Sequence, residues 1–180
     1  MTYQYYSTFV DYPGTISLSF QTALGVVLDT CRLLHKQGFR KIYILNTGIR
    51  TLDVLTVAKT ILASEGIQMD YLESRKLMAQ PEMRKLIKQA RGTHADEVET
   101  SILLYIAPSV VNMSKAIKDD RPRTGLPNSG FTPDPNNKIK SYSPTGVWGD
   151  PTLASREKGK LFTEALTDYV INDINKFAAS

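Results

Sequence analysis

The chain has 180 residues, 42% hydrophobic and 22% charged, with a formal net charge of +4. That is the size and mixture of one globular domain large enough to bury a core. Lysine and arginine are scattered through helical stretches, and no aromatic-plus-basic signature of an RNA-binding module appears, so no nucleic-acid partner is expected. Cys31 is the only cysteine, which excludes an internal disulfide and removes any need for an oxidising compartment. The N-terminus lacks a basic segment followed by an apolar run, and no apolar stretch approaches the roughly 20 residues of a membrane span. The expectation is a cytoplasmic protein, not bound to a membrane, forming a single domain over residues 1–180.

The opening "MTYQYYSTFVDYPG" is aromatic-rich and irregular and closes on a Pro13-Gly14 turn. From Ser19 to about Lys36, Leu24, Val27, Leu28, Cys31 and Leu34 recur at helical spacing, and Gly38 stands where a helix-ending glycine belongs. Cys31 therefore reads as a buried helical thiol. "KIYIL" follows as a strand, "TLDVLTVAKTILASEG" as a second helix stopped by Gly66, and "IQMDYL" as a second strand. Helix, strand, helix, strand at this spacing predicts an α/β layered sheet with parallel neighbours. "ESRKLMAQPEMRKLIKQARG", interrupted by Pro81, and "ADEVETSILLYIAPSVV" then read as helical. Between Lys118 and Asp150 stand Pro122, Pro127, Pro133, Pro135 and Pro144, a loop of a length uncommon in a compact domain unless it is functional or disordered. The last segment, "PTLASREKGKLFTEALTDYVINDINKF", reads as a closing amphipathic helix with Pro151 in its first turn.

Ligands of open α/β sheets bind beyond the carboxyl ends of strands, so Asn46-Thr47-Gly48-Ile49-Arg50-Thr51 is the first candidate site. Arg50 is placed to hold an anion and Asn46 to orient a polar substrate. The plainer alternative is a strand-to-helix turn with Thr51 as the cap, since the segment lacks the repeated glycines of a phosphate loop. "THADEVETS", Thr93 to Ser101, is the second candidate. As a helix start it makes Thr93 the N-cap, with Asp96 completing a capping box and the carboxylates suiting the positive helix end. His94 and Glu97 then lie one turn apart on one face and Glu99 points elsewhere. As chemistry, His94 shuttles a proton, with a glutamate as partner or metal ligand. A catalytic zinc usually takes three protein ligands, and His35 lies on another helix. A hard cation held by oxygens is a further option, although nothing in the spacing of Asp11, Asp53, Asp134 and Asp150 makes them converge. Trp148, the only tryptophan, sits among turn residues, where it either lines a pocket or pins the loop on the core.

Three segments, in order, resemble the creatininase family of metal-dependent amidohydrolases. "DYPGTISLSFQT" with "QGFRKIYILN" resembles the family's "PGT-I-S-L" segment and its "GFR…NGHGGN" strand. "HADEVETS" resembles its "HAGE-x-ETS", and "SPTGVWGDPTLASREKGK" its "G-x-x-GDPT-x-A-x-x-x-KG" segment. The match runs from about Tyr12 to Lys160. It implies a three-layer α/β/α sandwich with a mostly parallel sheet, assembled as multimers, often hexamers. It implies a pair of divalent metals, zinc, manganese or iron, activating water against a carbon–nitrogen bond in a small cyclic amide, a formamide or a peptide-derived substrate. By the same resemblance His94 handles protons, Glu97 belongs to the retained motif, and Glu99 is a site carboxylate and metal-ligand candidate.

The chain departs from the family pattern at the metal ligands. Gly48 stands at the histidine position of "NGHGGN", Phe9 stands near where a histidine commonly precedes "PGT", and Asp96 replaces a glycine. Family members carry an N-terminal region with an "E-x-H-G-x-H-L-P…D" motif that supplies several ligands, and the resemblance implies that this chain begins after it. Three functions follow. One is an unusual hydrolase with a pocket built on His94, Glu97 and Glu99, in which Arg50 replaces metal charge by binding an anionic substrate group. Another is a non-catalytic subunit paired with a full-length relative. The last is a small-molecule binder resting on Arg50 and Trp148. In a multimer, the Lys118-to-Asp150 region is long enough to close over a neighbour's pocket.

Overall fold

The computed structural model describes residues 5–6, 10, 12–120 and 143–180. They form two compact units: residues 1–77 with 170–180, and residues 78–169. No helix among the described residues is long and apolar enough to cross a membrane.

In the first unit, helix α1 spans Phe20–Lys36. Ser19 is its N-cap, with Oγ accepting the Thr22 N–H at 3.1 Å. It ends as the glycine spacing predicts: Gly38 has φ +103°, and the Phe39 N–H returns to the Leu34 carbonyl at 3.1 Å. Strand β1, Lys41–Ile44, leads to helix α2, Thr51–Ser64, and then to strand β2, Gln68–Tyr71. The strands pair in parallel, Lys41 opposite Gln68 and Ile44 opposite Tyr71. Parallel partners cannot be joined by a tight turn, which is why α2 lies between them.

The apolar spacing read from the sequence fills one core. Val27, Leu28 and Cys31 of α1 join Ile42, Val54, Leu55, Ala58, Leu62, Ile67 and Met69. Cys31 is 2% exposed, and burial raises its thiol pKa, so it behaves as an apolar residue. The Pro13-Gly14 turn forms as expected, with Thr15 donating to the Tyr12 carbonyl at 3.1 Å. The last helix, α6, spans Arg156–Ala179 and belongs to this unit from Val170 on. There Asp173 accepts from the Tyr43 hydroxyl at 2.5 Å, and the Ala178 carbonyl accepts from Lys41 Nζ at 2.6 Å.

The second unit contains α4, Pro81–Leu86, and α5, Glu97–Ile106, with α6 up to Tyr169; a short helix, α3, Ser74–Met78, bridges the boundary in sequence. Its core is Met83, Val98 and Phe162, packed by Met78, Leu86, Ile87, Ile102, Ala165 and Leu166. Two expected helix starts move. Pro151 opens a separate 3-10 turn, Pro151–Leu153, instead of the first turn of α6, because Asp150 caps that turn by accepting the Thr152 N–H at 3.1 Å. Thr93 is not the cap of α5; Asp96 is.

Truncating a core side chain loses transfer energy and leaves a cavity. Leu62→Ala, at a side chain with no exposure, is expected to lower unfolding free energy by about 2–5 kcal/mol. Leu33→Ala, at 55% exposure on the neighbouring helix, is expected to stay within about 0.5 kcal/mol of wild type. Urea unfolding of both variants checks this; equal losses would contradict the core assignment.

Candidate functional site

The start of α5 is built from its own acidic residues. Asp96 Oδ1 accepts the Val98 and Glu99 N–H groups at 2.9 and 3.1 Å. Glu99, at the third helical position, reaches back to accept the Ala95 N–H at 2.6 Å. This is a capping box shifted by one residue at its return bond. Between the two, Ala95 takes φ +47°, a left-handed conformation costly for any residue with a Cβ.

Glu97 turns inward and has no exposure. Its Oε2 accepts the Lys88 and Gln89 N–H groups at 2.8 and 2.6 Å. Its Oε1 is paired with Lys158 Nζ, which also donates to the Leu153 carbonyl at 2.7 Å. A charge buried this far is tolerated because three N–H donors, one of them an ammonium, meet its oxygens. One turn on, Ser101 sits against α6 so closely that a Cβ on Gly159 would lie 1.9 Å from the Ser101 carbonyl oxygen. Only glycine fits there.

His94 and Trp148 form an isolated antiparallel bridge. The Trp148 N–H donates to the His94 carbonyl at 2.9 Å, and the Trp148 carbonyl accepts the Thr93 and His94 N–H groups at 3.0 and 3.2 Å. The next residue, Gly149, bridges Asp119, whose Oδ2 accepts the Ser143 hydroxyl at 2.7 Å. Gly92 and Gly149, at φ +139° and +146°, permit the approach: a Cβ on Gly92 would lie 2.5 Å from the Gly149 Cα.

The side chain that faces His94 is Glu99, not Glu97. His94 Nδ1 lies 3.8 Å from Glu99 Oε2, with side-chain exposures of 39% and 53%. The expected pairing of His94 with Glu97 fails because the helix begins after His94, so helical spacing does not relate them. Loss of solvation raises the Glu99 carboxyl pKa, against the lowering effects of the Ala95 N–H and of His94; the Asp96 charge adds to the rise. The effect comes from protein crowded around one side of a group whose other side is open to water.

The remaining candidates divide by unit. Asn46 and Arg50 lie in the first, and His94, Glu97, Glu99 and Trp148 in the second. Asn46, 6% exposed, donates to the Gly48 and Leu72 carbonyls at 2.8 and 3.4 Å. It also accepts from the Gly48 N–H and from the Thr51 hydroxyl. Its side chain thereby forms the strand-to-helix turn itself. Arg50 is the N-cap residue of α2, and Thr51 is its first residue rather than its cap. Asp53 is exposed in the first turn of α2. Asp11, Asp134, Phe9 and residues 121–142 lie outside the described residues. Sequence reasoning missed Gln89, Lys158 and Asp119; only Lys158 had a signal, in "REKGK".

A metal pair needs several convergent donors. Among the described residues no three His, Cys, Asp or Glu side chains gather. The oxygens of Glu97 and Oδ1 of Asp96 are held by N–H groups, and the Gly48 position has no side chain to offer. The described residues do not fit a divalent pair.

The fold is shared with known proteins. The creatininase model (creatinine amidohydrolase) matches residues 1–174. Creatinine amidohydrolase of Pseudomonas putida is 26% identical over 178 residues, covering 92% of this chain. The chain spans 66% of that relative's length. A solved creatinine amidohydrolase (creatininase) superposes with a TM-score of 0.77 at 25% identity, over 97% of this chain and 72% of its own. A structure named "Creatininase Mn" gives 0.73 at 24% identity, over 92% and 67%. The fold is the α/β fold of the creatininases. The chain belongs to the creatininase family.

Two predictions follow from the α5 geometry. Lys158→Met strands the buried Glu97 charge and is expected to cost about 3–5 kcal/mol in urea unfolding. Adding Glu97→Gln recovers much of that loss, whereas a single-variant cost below about 1 kcal/mol would contradict a buried pair. For Glu99, a folded pKa raised above its unfolded value favours the native state below the unfolded pKa. That contribution is lost as pH rises through the folded pKa. The melting temperature of Glu99→Gln relative to wild type is therefore expected to rise between pH 4 and pH 7; a constant or falling difference would contradict the raised pKa.

Proposed function

We propose that this chain is an amidohydrolase-type protein whose proton chemistry runs through His94, with Glu99 beside it, on the carbon–nitrogen bond of a small cyclic amide or formamide. The observation that carries the reading is the division of labour at the start of α5. Asp96 and Glu97 are bound into the framework, while His94 and Glu99 stay open to water 3.8 Å apart. The imidazole accepts a proton from the attacking water and returns it to the leaving nitrogen, and the Glu99 carboxylate steadies the imidazolium between the two events. Glu97 serves by holding the loop. Trp148, bridged to His94 through the backbone, offers a flat apolar wall to a small ring. In the first unit, and apart from this site, Arg50 on the turn that Asn46 shapes is assigned an anionic group.

The family relation and the named activity of the Pseudomonas putida relative support the substrate class. A divalent metal, such as the manganese in the name of one structural neighbour, or zinc or iron, would need ligands from beyond the described residues. The steps assigned to His94 and Glu99 do not run through it. The match over residues 1–174 supports both compact units as parts of one creatininase-like domain. We assign it to the cytoplasm, supported by the lone Cys31, and to a homo-oligomer.

A second reading is favoured by the same commitment of Asp96 and Glu97: a non-catalytic subunit that pairs with a full-length relative. The test is steady-state turnover of creatinine and a panel of cyclic amides and formamides, with manganese or zinc supplied. His94→Ala is expected to lower kcat by roughly 10²–10⁴ with little change in melting temperature. Full activity in that variant would overturn the hydrolase reading. No turnover by the wild-type chain, together with its co-purification with a full-length relative, would establish the second.

A further inference from the structure

Gln89 lies half-buried in the segment between α4 and α5. Its side-chain amide joins the two stretches that carry the site. Nε2 donates to Asp96 Oδ2 at 2.5 Å. Oε1 accepts the Glu97 N–H at 3.2 Å and, from the other stretch, the Asp150 N–H at 3.0 Å. Its backbone N–H donates to Glu97 Oε2 at 2.6 Å. Both lone pairs of the amide oxygen are thereby used, and the donor meets a carboxylate, the stronger kind of hydrogen bond.

The crevice around this amide is closed to larger neighbours. A Cβ on Gly149 would lie 2.7 Å from Gln89 Oε1 and 2.4 Å from the Asp96 Cβ, and one on Gly92 would lie 3.1 Å from Gln89 Nε2. The loop it grips also contains Ala95 in its left-handed conformation, which persists only where the surroundings over-determine it. Among the described residues the His94–Trp148 bridge is isolated, three backbone hydrogen bonds outside any strand.

We propose that Gln89 is a positioning residue for His94: its amide clamps the His94 loop to the Trp148–Asp150 segment and so fixes the backbone that carries the imidazole. The proposal rests on the reading of His94 as the proton-handling group.

The test exchanges the two ends of one hydrogen bond. Gln89→Glu keeps the size and the two acceptor bonds but turns an oxygen toward Asp96. Adding Asp96→Asn restores the bond with donor and acceptor swapped at the wild-type charge, and asparagine remains a good N-cap. In the full chain at pH 7, Gln89→Glu is expected to speed amide hydrogen exchange at His94, Trp148 and Asp150 by roughly ten- to a hundredfold. It is also expected to shift the fluorescence of Trp148, the only tryptophan. The double variant returns both signals toward wild type, and kcat falls and recovers with them while KM holds. A single variant that fails to fold beside a swapped variant that folds supports the same bond. Unchanged exchange in Gln89→Glu, or a double variant no closer to wild type than the single, overturns the clamp. Exchange that responds as expected while His94→Ala retains full turnover leaves the clamp in place and removes the His94 chemistry.

Discussion

The arrangement around α5 depends on one buried charge. Glu97 has no exposure, and a carboxylate out of water must find hydrogen-bond and ion-pair partners or take up a proton. Here the partners come from separate stretches: the Lys88 and Gln89 N–H groups ahead of the helix, and the Lys158 ammonium from α6. Lys158 in turn holds the Leu153 carbonyl at the end of a short 3-10 turn. Satisfying one carboxylate therefore fixes the loop before α5, the start of α6 and the turn between Asp150 and Ala154 in a single network.

What that network leaves outside it is the chemistry. With Glu97 turned inward and Asp96 capping the helix, the acidic residue left to face His94 is Glu99, itself steadied by the Ala95 N–H. The geometry needs backbone that most residues resist. Gly92 and Gly149 cross where no Cβ fits, and Ala95 accepts a positive φ. Strain of this kind gathers where a side chain must be held in place. It fits a family whose members are named for hydrolysing an amide, although among the described residues no three His, Cys, Asp or Glu side chains gather to hold a metal.

Much of this was legible in the sequence. Helical spacing in α1 and α2, and the glycines at 38 and 66, located both helix ends and the parallel strands that follow them, because those signals are local. The cap of α5 was not legible. Thr93 and Asp96 each have a carboxylate three residues on, so two overlapping capping patterns compete and only tertiary contacts choose. Choosing Thr93 carried His94 into the helix and matched it with Glu97; starting the helix at Glu97 turns that side chain inward and leaves Glu99 nearest. Pro151 failed similarly, since proline opens a 3-10 turn as readily as an α-helix. Gln89 and Lys158 were hidden for a different reason. Their partners lie up to 61 residues away, and no periodicity encodes such a meeting.

The central claim is that Asp96 and Glu97 at the start of α5 belong to the framework and are not metal ligands. Zinc titration of the purified chain, followed at the backbone amides of Lys88, Gln89 and Val98 by NMR, tests it most directly, because those N–H groups bond the oxygens a metal would take. The expected result is no saturating shift of these three resonances. Stoichiometric shifts of all three on adding zinc would show the carboxylates leaving their N–H partners for the metal, and would contradict the claim.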